Sequence, residues 1–310
     1  MELHDSGCER PTPVAGRVSP GTSVRGDGSG AYTRDDRGRC PLMADSDDLG
    51  TDDLDVTVSD DELVIEATID RPERRNALGE AVMTGLHDVL EAADEGPARV
   101  VVLRGSGGTF CSGGDMSEFP IGQGAQDYRE GFGALSGLVE RLQTTDALTV
   151  AAVDGHCLAG GLGLAAACEF VVASERASFG TPEVEIGLFP AQAMAPIMRT
   201  VTEKAGLELL FTGKRIDAAE AHRIGLVTEV HTAEAFDEEL DALIDTLAAN
   251  SPVLIAMGKE AYYEQREMEF GSALAYLKEM IALIAMSDET EEGIDAFLTD
   301  REPEWRGRES

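Results

Sequence analysis

The chain has 310 residues, 43% of them apolar, and a formal net charge of −34. This length and apolar content provide for a substantial core and exclude disorder of the whole chain. The sequence contains neither an apolar run long enough to cross a bilayer nor an apolar signal core, so we expect a cytoplasmic protein with no membrane partner. The strong acidity also disfavours nucleic acid as a partner.

Acidic residues are spread along the chain rather than gathered in a tail. There are 59 aspartates and glutamates against 25 lysines and arginines. A basic partner is one interpretation of this excess. We favour a halophilic protein from a high-salt cytoplasm, where screening weakens the repulsion between like charges. The five cysteines show no CxxC pair, which is typical of a reduced compartment.

Residues 1–42 differ from the rest in charge and composition. Their acidic and basic residues balance, and the segment is rich in Gly, Pro, Ser and Thr without apolar periodicity. Acidic, family-like sequence begins directly after Met43. We interpret 1–42 as a disordered or mis-assigned N-terminal extension, with a functional tail as the alternative.

Strand and helix patterns alternate from residue 54 onward. Residues 54–69 predict two short strands around an Asp-Asp turn. The following pattern predicts, in chain order, a helix from 76–78 to about 93, a strand over 99–104, a helix over 124–143, a strand over 148–153, a helix over 160–167, a strand over 169–173 and mostly helices from 191 to 297. Repeated strand–helix units indicate an α/β fold.

Two glycine-containing stretches, 107–116 and 155–164, each follow an apolar strand-like run. Backbone N–H groups freed at two such turns can converge on one anionic oxygen, and a nearby carboxylate could then accept a proton. Ordinary turn glycines are the alternative. Glu183 and Glu185 alternate with apolar residues, so the pattern alone also allows both acids to lie on a solvated strand face.

Six blocks of sequence resemble the enoyl-CoA hydratase/isomerase (crotonase) family in their order and spacing. They are RPERRNAL at 71–78, TFCSGGDM at 109–116, GHCLAGGLGLAAACEF at 155–170, FGTPEVEIGLFP at 179–190, FTGKRIDAAEAHRIGLVTEV at 211–230 and AFLTDREPEWRGR at 296–308. The resemblance implies a crotonase-like (ClpP/crotonase) spiral of repeated ββα units. It also implies a core over 43–230, a C-terminal helical trimerisation region over 231–310, and a trimer or a dimer of trimers.

The same resemblance implies roles for individual residues. The N–H groups of Gly114 and Gly160 would form an oxyanion hole for an acyl-CoA thioester, and Glu183 would be the acid/base. Substrate-binding positions would be Asn76, Ala77, Leu78, Ser112, Asp115, Met116 and Phe189. Asp115 is also expected to cap a helix N-terminus. Arg71, Arg74 and Arg75 could meet the CoA phosphates or form a solvated patch.

The sequence departs from the family pattern at two acids. Gly163 stands where two-glutamate hydratases carry a second acid, and Ala191 stands where dienoyl-CoA isomerases carry theirs. A single carboxylate favours Δ3→Δ2 isomerisation, with hydration of a 2-enoyl-CoA still open, in fatty acid or acyl-CoA degradation. Decarboxylation, thioester hydrolysis and a non-catalytic CoA-binding role are further alternatives. We expect no metal, and no cofactor beyond coenzyme A as part of the substrate.

Overall fold

The computed structural model describes residues 49–306. The N-terminal segment interpreted above, 1–42, therefore lies outside the described residues. The strands of the described part are β1 (Leu54–Val58), β2 (Val64–Ile69), β3 (Val100–Gly105), β4 (Thr109–Cys111), β5 (Leu148–Val153), β6 (His156–Leu158), β7 (Phe170–Ser174), β8 (Ser178–Gly180), β9 (Arg215–Asp217) and β10 (Glu229–His231).

The α-helices of the same part are α1 (Glu80–Glu95), α2 (Ala125–Thr144), α3 (Gly160–Ala167), α4 (Ala191–Thr200), α5 (Glu203–Thr212), α6 (Ala218–Arg223), α7 (Phe236–Ala248), α8 (Pro252–Arg266), α9 (Phe270–Ile284) and α10 (Asp288–Thr299). Two 3-10 helices cover Pro72–Arg74 and Pro182–Ile186. No single described helix is long and apolar enough to cross a membrane; two bent pairs, α7 with α8 and α9 with α10, have the length and composition only when joined.

Strands form two sheets. The larger has the order β1-β2-β3-β5-β7-β10 and the smaller β4-β6-β8-β9. Pairing is parallel except between β1 and β2 and between β8 and β9. Each of β3, β5 and β7 is followed by a short strand of the smaller sheet and then by a helix. This repeated strand–strand–helix unit confirms the predicted α/β fold of ββα repeats.

The central strands of the larger sheet are buried on both faces. In β3, the main core contains Val101 and Leu103. A second cluster contains Val100 and Val102, together with Phe236 and other apolar residues of α7. Successive side chains of a strand point to opposite faces, so a strand covered on both sides needs apolar residues throughout. This explains the continuous apolar run in β3.

The predicted helix over 76–93 begins later than expected. Arg75 and Asn76 have φ angles of 54° and 53°, which a right-handed helix does not contain. Helix α1 therefore begins at Glu80. The segment before it instead forms a bridge in which Leu78 pairs with Gly114. The other predicted elements in 54–173 agree with the structure to within one or two residues at most ends.

Candidate active site

The three residues proposed for catalysis follow three neighbouring parallel strands. Strands β4, β6 and β8 lie side by side in the smaller sheet. Gly114 follows β4, Gly160 follows β6, and Glu183 follows β8. The carboxyl ends of parallel strands meet at one edge of a sheet, where α/β proteins commonly bind ligands. Residues from three distant blocks of sequence are thus brought to one edge.

Gly114 and Gly160 are close in space. A β-carbon on Gly160 would lie 3.6 Å from the backbone nitrogen of Gly114, and one on Gly113 would lie 3.1 Å from the nitrogen of Gly160. Within residues 49–306, neither the Gly114 nor the Gly160 N–H donates a hydrogen bond. Two free N–H groups in one neighbourhood are what an oxyanion hole requires.

The backbone before each N–H is held in an uncommon conformation. Ala159 has φ 55° and ψ −129°, a region that non-glycine residues rarely occupy, and its N–H donates to the Gly180 carbonyl at 2.9 Å. Gly113 has φ +104°. Strained backbone of this kind persists where the surroundings fix it and is concentrated at functional sites. Helix α3 begins at Gly160, so its positive end also faces a bound anion.

Leu78 fixes the peptides on both sides of Gly114 through its backbone. Its N–H donates to the Gly113 carbonyl at 2.8 Å, and its carbonyl accepts from the Asp115 N–H at 3.0 Å. Leu78 and Ala77 are buried, so their side chains belong to the core. The predicted block at 76–78 therefore reaches the site mainly through main-chain atoms.

The Asn76 side chain forms hydrogen bonds to backbone groups in the protein interior. Its amide donates to the carbonyls of Ser106 at 2.9 Å and Thr109 at 2.6 Å, and its oxygen accepts from the Arg71 N–H at 2.9 Å. The residue is fully buried. These internal bonds occupy the Asn76 side chain and hold the segment that precedes Leu78, so a substrate contact of Asn76 would have to come from its main chain.

Asp115 does not cap a helix, contrary to the prediction. The next helix, α2, begins at Ala125. The Asp115 carboxylate instead accepts from the Ser117 N–H at 2.9 Å and the Ser117 hydroxyl at 2.6 Å, and pairs with Arg71 at 3.1 Å. The Ser117 hydrogen bonds, opposed by burial and aided by Arg71 and Arg74, hold the pKa of Asp115 below its ordinary value.

Glu183 and Glu185 have different environments, which the sequence pattern alone left open. Residues Pro182–Ile186 form a 3-10 helix rather than a strand. Glu183 is half-buried, whereas Glu185 is exposed. Within the described residues, the Glu183 Oε2 atom is buried and has no hydrogen-bond partner. Burial raises the pKa of Glu183, and a hydrogen bond from its own backbone N–H opposes that rise.

Apolar side chains flank the two glycines. A β-carbon on Gly114 would lie 3.1 Å from the Phe119 ring, and one on Gly160 would lie 3.1 Å from Leu135. The Phe119 ring contacts that of Phe132 with centroids 5.3 Å apart. These residues were not among the predicted site residues, although Phe132 and Leu135 lie three apart on the predicted helix over 124–143.

The remaining proposed substrate contacts are partly or largely exposed to solvent. Met116 and Phe189 are 47% and 42% exposed, and Ser112 is half-buried. Phe189 contacts the exposed Phe211 ring with centroids 5.1 Å apart. Exposed apolar side chains beside a polar site fit an acyl chain or its neighbouring groups.

Comparison with known proteins identifies the family. The sequence profile of the enoyl-CoA hydratase/isomerase family matches residues 60–308. The chain belongs to the enoyl-CoA hydratase/isomerase family. It is 34% identical over 239 residues to enoyl-CoA hydratase domain-containing protein 3, mitochondrial, of Rattus norvegicus, covering 76% of this chain and 79% of that relative.

Two further relatives of this enoyl-CoA hydratase/isomerase family member match over nearly their whole length. The 2,3-dehydroadipyl-CoA hydratase of Escherichia coli (strain K12) is 32% identical over 256 residues, covering 82% of this chain and 99% of the relative. The crystal structure of an enoyl-CoA hydratase of Mycobacterium smegmatis has a TM-score of 0.79 and 32% identity, covering 82% of this chain and 99% of that structure. The predicted family and its crotonase-like fold are confirmed.

This member of the family has no room for an acid at position 163. A β-carbon on Gly163 would lie 2.8 Å from both the Cα and Cβ atoms of Ala193, which belongs to α4. Real β-carbons do not approach other atoms this closely, so any side chain there requires α3 and α4 to separate. The missing second acid therefore corresponds to close packing of two helices rather than to an open space.

The three arginines at the start of the site differ in exposure. Arg71 is buried in its ion pair with Asp115, so it is not a free phosphate ligand. Arg74 and Arg75 are exposed, and Arg74 also donates to the Ser117 hydroxyl at 3.3 Å. Only Arg74 and Arg75 remain candidates for the CoA phosphates.

Other chemically reactive side chains lie away from the oxyanion glycines or are unreactive. The His156 ring contacts the Ser178 hydroxyl at 2.7 Å, at the opposite end of β6 from Gly160. Cys111 is buried, and burial raises the pKa of its thiol to about 12, which disfavours the reactive thiolate. Among residues 49–306, no group of three or more metal-ligating side chains occurs.

Proposed function

We propose that this family member catalyses Δ3→Δ2 isomerisation of an enoyl-CoA, with Glu183 as both base and acid. The environment of the Glu183 carboxylate supports this proposal most strongly. Within the described chain, Glu183 has a buried oxygen without a hydrogen-bond partner, on the sheet edge shared by the two free N–H groups. A buried polar atom without a partner needs an explanation, and a proton-transfer role provides one.

The thioester carbonyl oxygen of the substrate would lie between the N–H groups of Gly114 and Gly160. Negative charge develops on that oxygen when a proton leaves C2. Each well-aimed donor is worth about 3 kcal/mol in such a site. The N-terminus of α3 carries a partial positive charge, which also favours negative charge on this oxygen.

Glu183 would then move one proton. Its carboxylate removes a proton from C2 of a 3-enoyl-CoA, and the C2–H electron pair passes into a dienolate. The protonated Glu183 returns the proton at C4, so the C3=C4 double bond becomes C2=C3 with no change in oxidation state. A raised pKa makes Glu183 a stronger base and keeps its two protonation states closer in free energy near neutral pH.

Hydration of a 2-enoyl-CoA is the second candidate, because the relatives described above are named as hydratases. Hydration needs one group to activate water and another to deliver the proton. An acidic side chain at position 163 would have to displace Ala193, so this position does not provide the second acid. A hydratase reaction here would therefore depend on Glu183 and a water held by the backbone.

We also propose that copies of this chain assemble as a trimer or hexamer in the cytoplasm. Helices α9 and α10 and the turn between them expose large apolar side chains, including Phe270 at 78%, Met286 at 81% and Phe297 at 85%. Exposed apolar surface of this extent is typical of interfaces between subunits. Coenzyme A would enter only as part of the substrate.

The test gives the purified protein crotonyl-CoA and, separately, a 3-enoyl-CoA in molar KCl. Appearance of conjugated-thioester absorbance from the 3-enoyl-CoA supports isomerisation, and its loss from crotonyl-CoA supports hydration. Release of free thiol would indicate thioester hydrolysis instead, and release of carbon dioxide from a separately supplied 2-carboxyacyl-CoA would indicate decarboxylation. No turnover of either substrate despite CoA binding would leave only a binding role.

Glu183→Gln should abolish the reaction while leaving acyl-CoA binding intact. The matched control is Glu185→Gln, two residues away and exposed, which should keep the wild-type rate. A Glu183→Gln rate equal to that of the wild type would remove Glu183 from the mechanism.

A further inference from the structure

Arg71 and Asp115 form an ion pair next to the proposed oxyanion hole. They are 44 residues apart in sequence, yet the Arg71 Nη2 atom lies 3.1 Å from the Asp115 Oδ2 atom. Both residues are buried. The Arg71 Nε atom lies 3.2 Å from an Asp53 carboxylate oxygen, and Nη1 donates to the Ala77 carbonyl at 3.0 Å.

This guanidinium joins the two segments that determine where the Gly114 N–H points. One segment is 77–78, whose Leu78 backbone bonds to the peptides on both sides of Gly114. The other segment continues from Gly114 into Asp115. Arg71 bonds to the first segment through the Ala77 carbonyl and to the second through the Asp115 carboxylate. A planar group with fixed donor directions holds two such acceptors in one geometry.

The pair also matters electrostatically. The Asp115 carboxylate directly follows Gly114, so its negative charge opposes an enolate held by the Gly114 N–H. Arg71 is the buried cation beside that carboxylate, whereas Arg74 is half-exposed and 3.9 Å away. A buried carboxylate that loses its paired cation interacts more strongly with nearby charge.

We propose that Arg71 is a positioning residue for the oxyanion hole, acting through Asp115 and the Ala77 carbonyl. The inference rests on the proposed function and adds a residue to it. The oxyanion bond strengthens as the enolate forms, so disturbing it lowers kcat and leaves substrate binding nearly unchanged. A purely structural ion pair would instead change stability alone.

The experiment measures enolisation of bound acetoacetyl-CoA, a 3-oxoacyl-CoA with an acidic C2 proton whose enolate absorbs in the near ultraviolet. We expect the wild-type protein to raise the enolised fraction above that of the free ligand at fixed pH. Arg71→Lys keeps the positive charge but loses the fork, and Asp115→Glu keeps the negative charge but moves the carboxylate by one methylene group. Each should lower the enolised fraction of the bound ligand and kcat about tenfold, with the Kd of butyryl-CoA within about twofold of wild type.

Arg141→Lys is the matched control. Arg141 pairs with the Asp94 carboxylate at 2.6 Å and with the Leu90 carbonyl at 3.2 Å, between α1 and α2. Like Arg71, the Arg141 guanidinium binds one carboxylate and one backbone carbonyl, but it does so away from the two glycines. We expect Arg141→Lys to lower the melting temperature and leave enolisation at the wild-type level.

The outcomes separate this inference from the proposed function. If the wild-type protein does not enolise the bound ligand, the proposed oxyanion hole is wrong and the role of Arg71 fails with it. If the wild type does enolise it and folded Arg71→Lys and Asp115→Glu proteins do so equally well, the positioning role alone is overturned. If Arg71→Lys does not fold, the charge-conserving Asp115→Glu variant decides the question by the same measurement.

Discussion

Glu183→Gln should make the protein more stable at neutral pH while removing its activity. The wild-type residue keeps a charged carboxylate in a half-buried position, with Oε2 buried and without a hydrogen-bond partner among the described residues. Both Glu and Gln leave a buried polar atom without a partner there, but burying a charged carboxylate costs more than burying a neutral amide of the same size. Because the residue is partly exposed and screened by solvent, we expect about 1 kcal/mol, which corresponds to a rise in melting temperature of about 2–4 °C.

The pH dependence of this difference has a definite sign. Burial raises the pKa of Glu183 in the folded protein above its unfolded value, so the folded state holds this proton more tightly. Below the unfolded pKa both states are protonated and the charge penalty is absent. As pH rises through the folded pKa the penalty develops fully, so the stability advantage of Glu183→Gln should grow with pH.

Calorimetry of Glu183→Gln, Glu185→Gln and wild type between pH 5 and pH 8 in KCl tests this reasoning. The exposed Glu185→Gln control should match the wild type at every pH. A Glu183→Gln protein that is less stable than wild type at pH 8, or whose advantage does not change with pH, would refute the claim that this carboxylate is held at a cost to stability.

Two further predictions concern the fold and the surface. The buried Lys259 ammonium donates to the Leu142 and Ala147 carbonyls at 2.8 and 2.7 Å and pairs with Glu169 at 3.1 Å. Lys259→Met leaves the Glu169 carboxylate without this cation, so it should lower the free energy of unfolding by about 3–5 kcal/mol. Denaturant titration measures the change. The exposed Lys278→Met is its control, and equal midpoints for the two would contradict a stabilising role. A net charge of −34 should make the melting temperature rise as KCl is increased to molar concentration, and a melting temperature independent of KCl would count against the high-salt interpretation.

Much of the fold could be predicted because local sequence determines it. The run over 100–103 is apolar throughout, and the structure buries β3 on both faces, against the main core and against α7. The small residues of 160–167 form α3 as expected, packed closely on α4. The order of the six blocks predicted the family, and the resemblance singled out Gly114, Gly160 and Glu183, which the structure places after three neighbouring strands.

Other features of the site depend on contacts between distant residues and could not be predicted. Glu183 and Glu185 have the same pattern in the sequence, and only the 3-10 helix separates a half-buried acid from an exposed one. Asp115 resembles a helix cap until Arg71, 44 residues earlier, is found beside it.

The sequence by itself determined the family, the repeated ββα fold and the absence of an acid at position 163. Apolar periodicity indicated an α/β pattern, resemblance to the family implied the ββα repeats, and residue identity showed the missing acid. The tertiary structure alone decided that Ala193 closes the space beside Gly163, that Asn76 is buried, and that the Gly114 and Gly160 nitrogens are neighbours. Packing brings together groups from different repeats, and no local pattern encodes how closely two such groups approach.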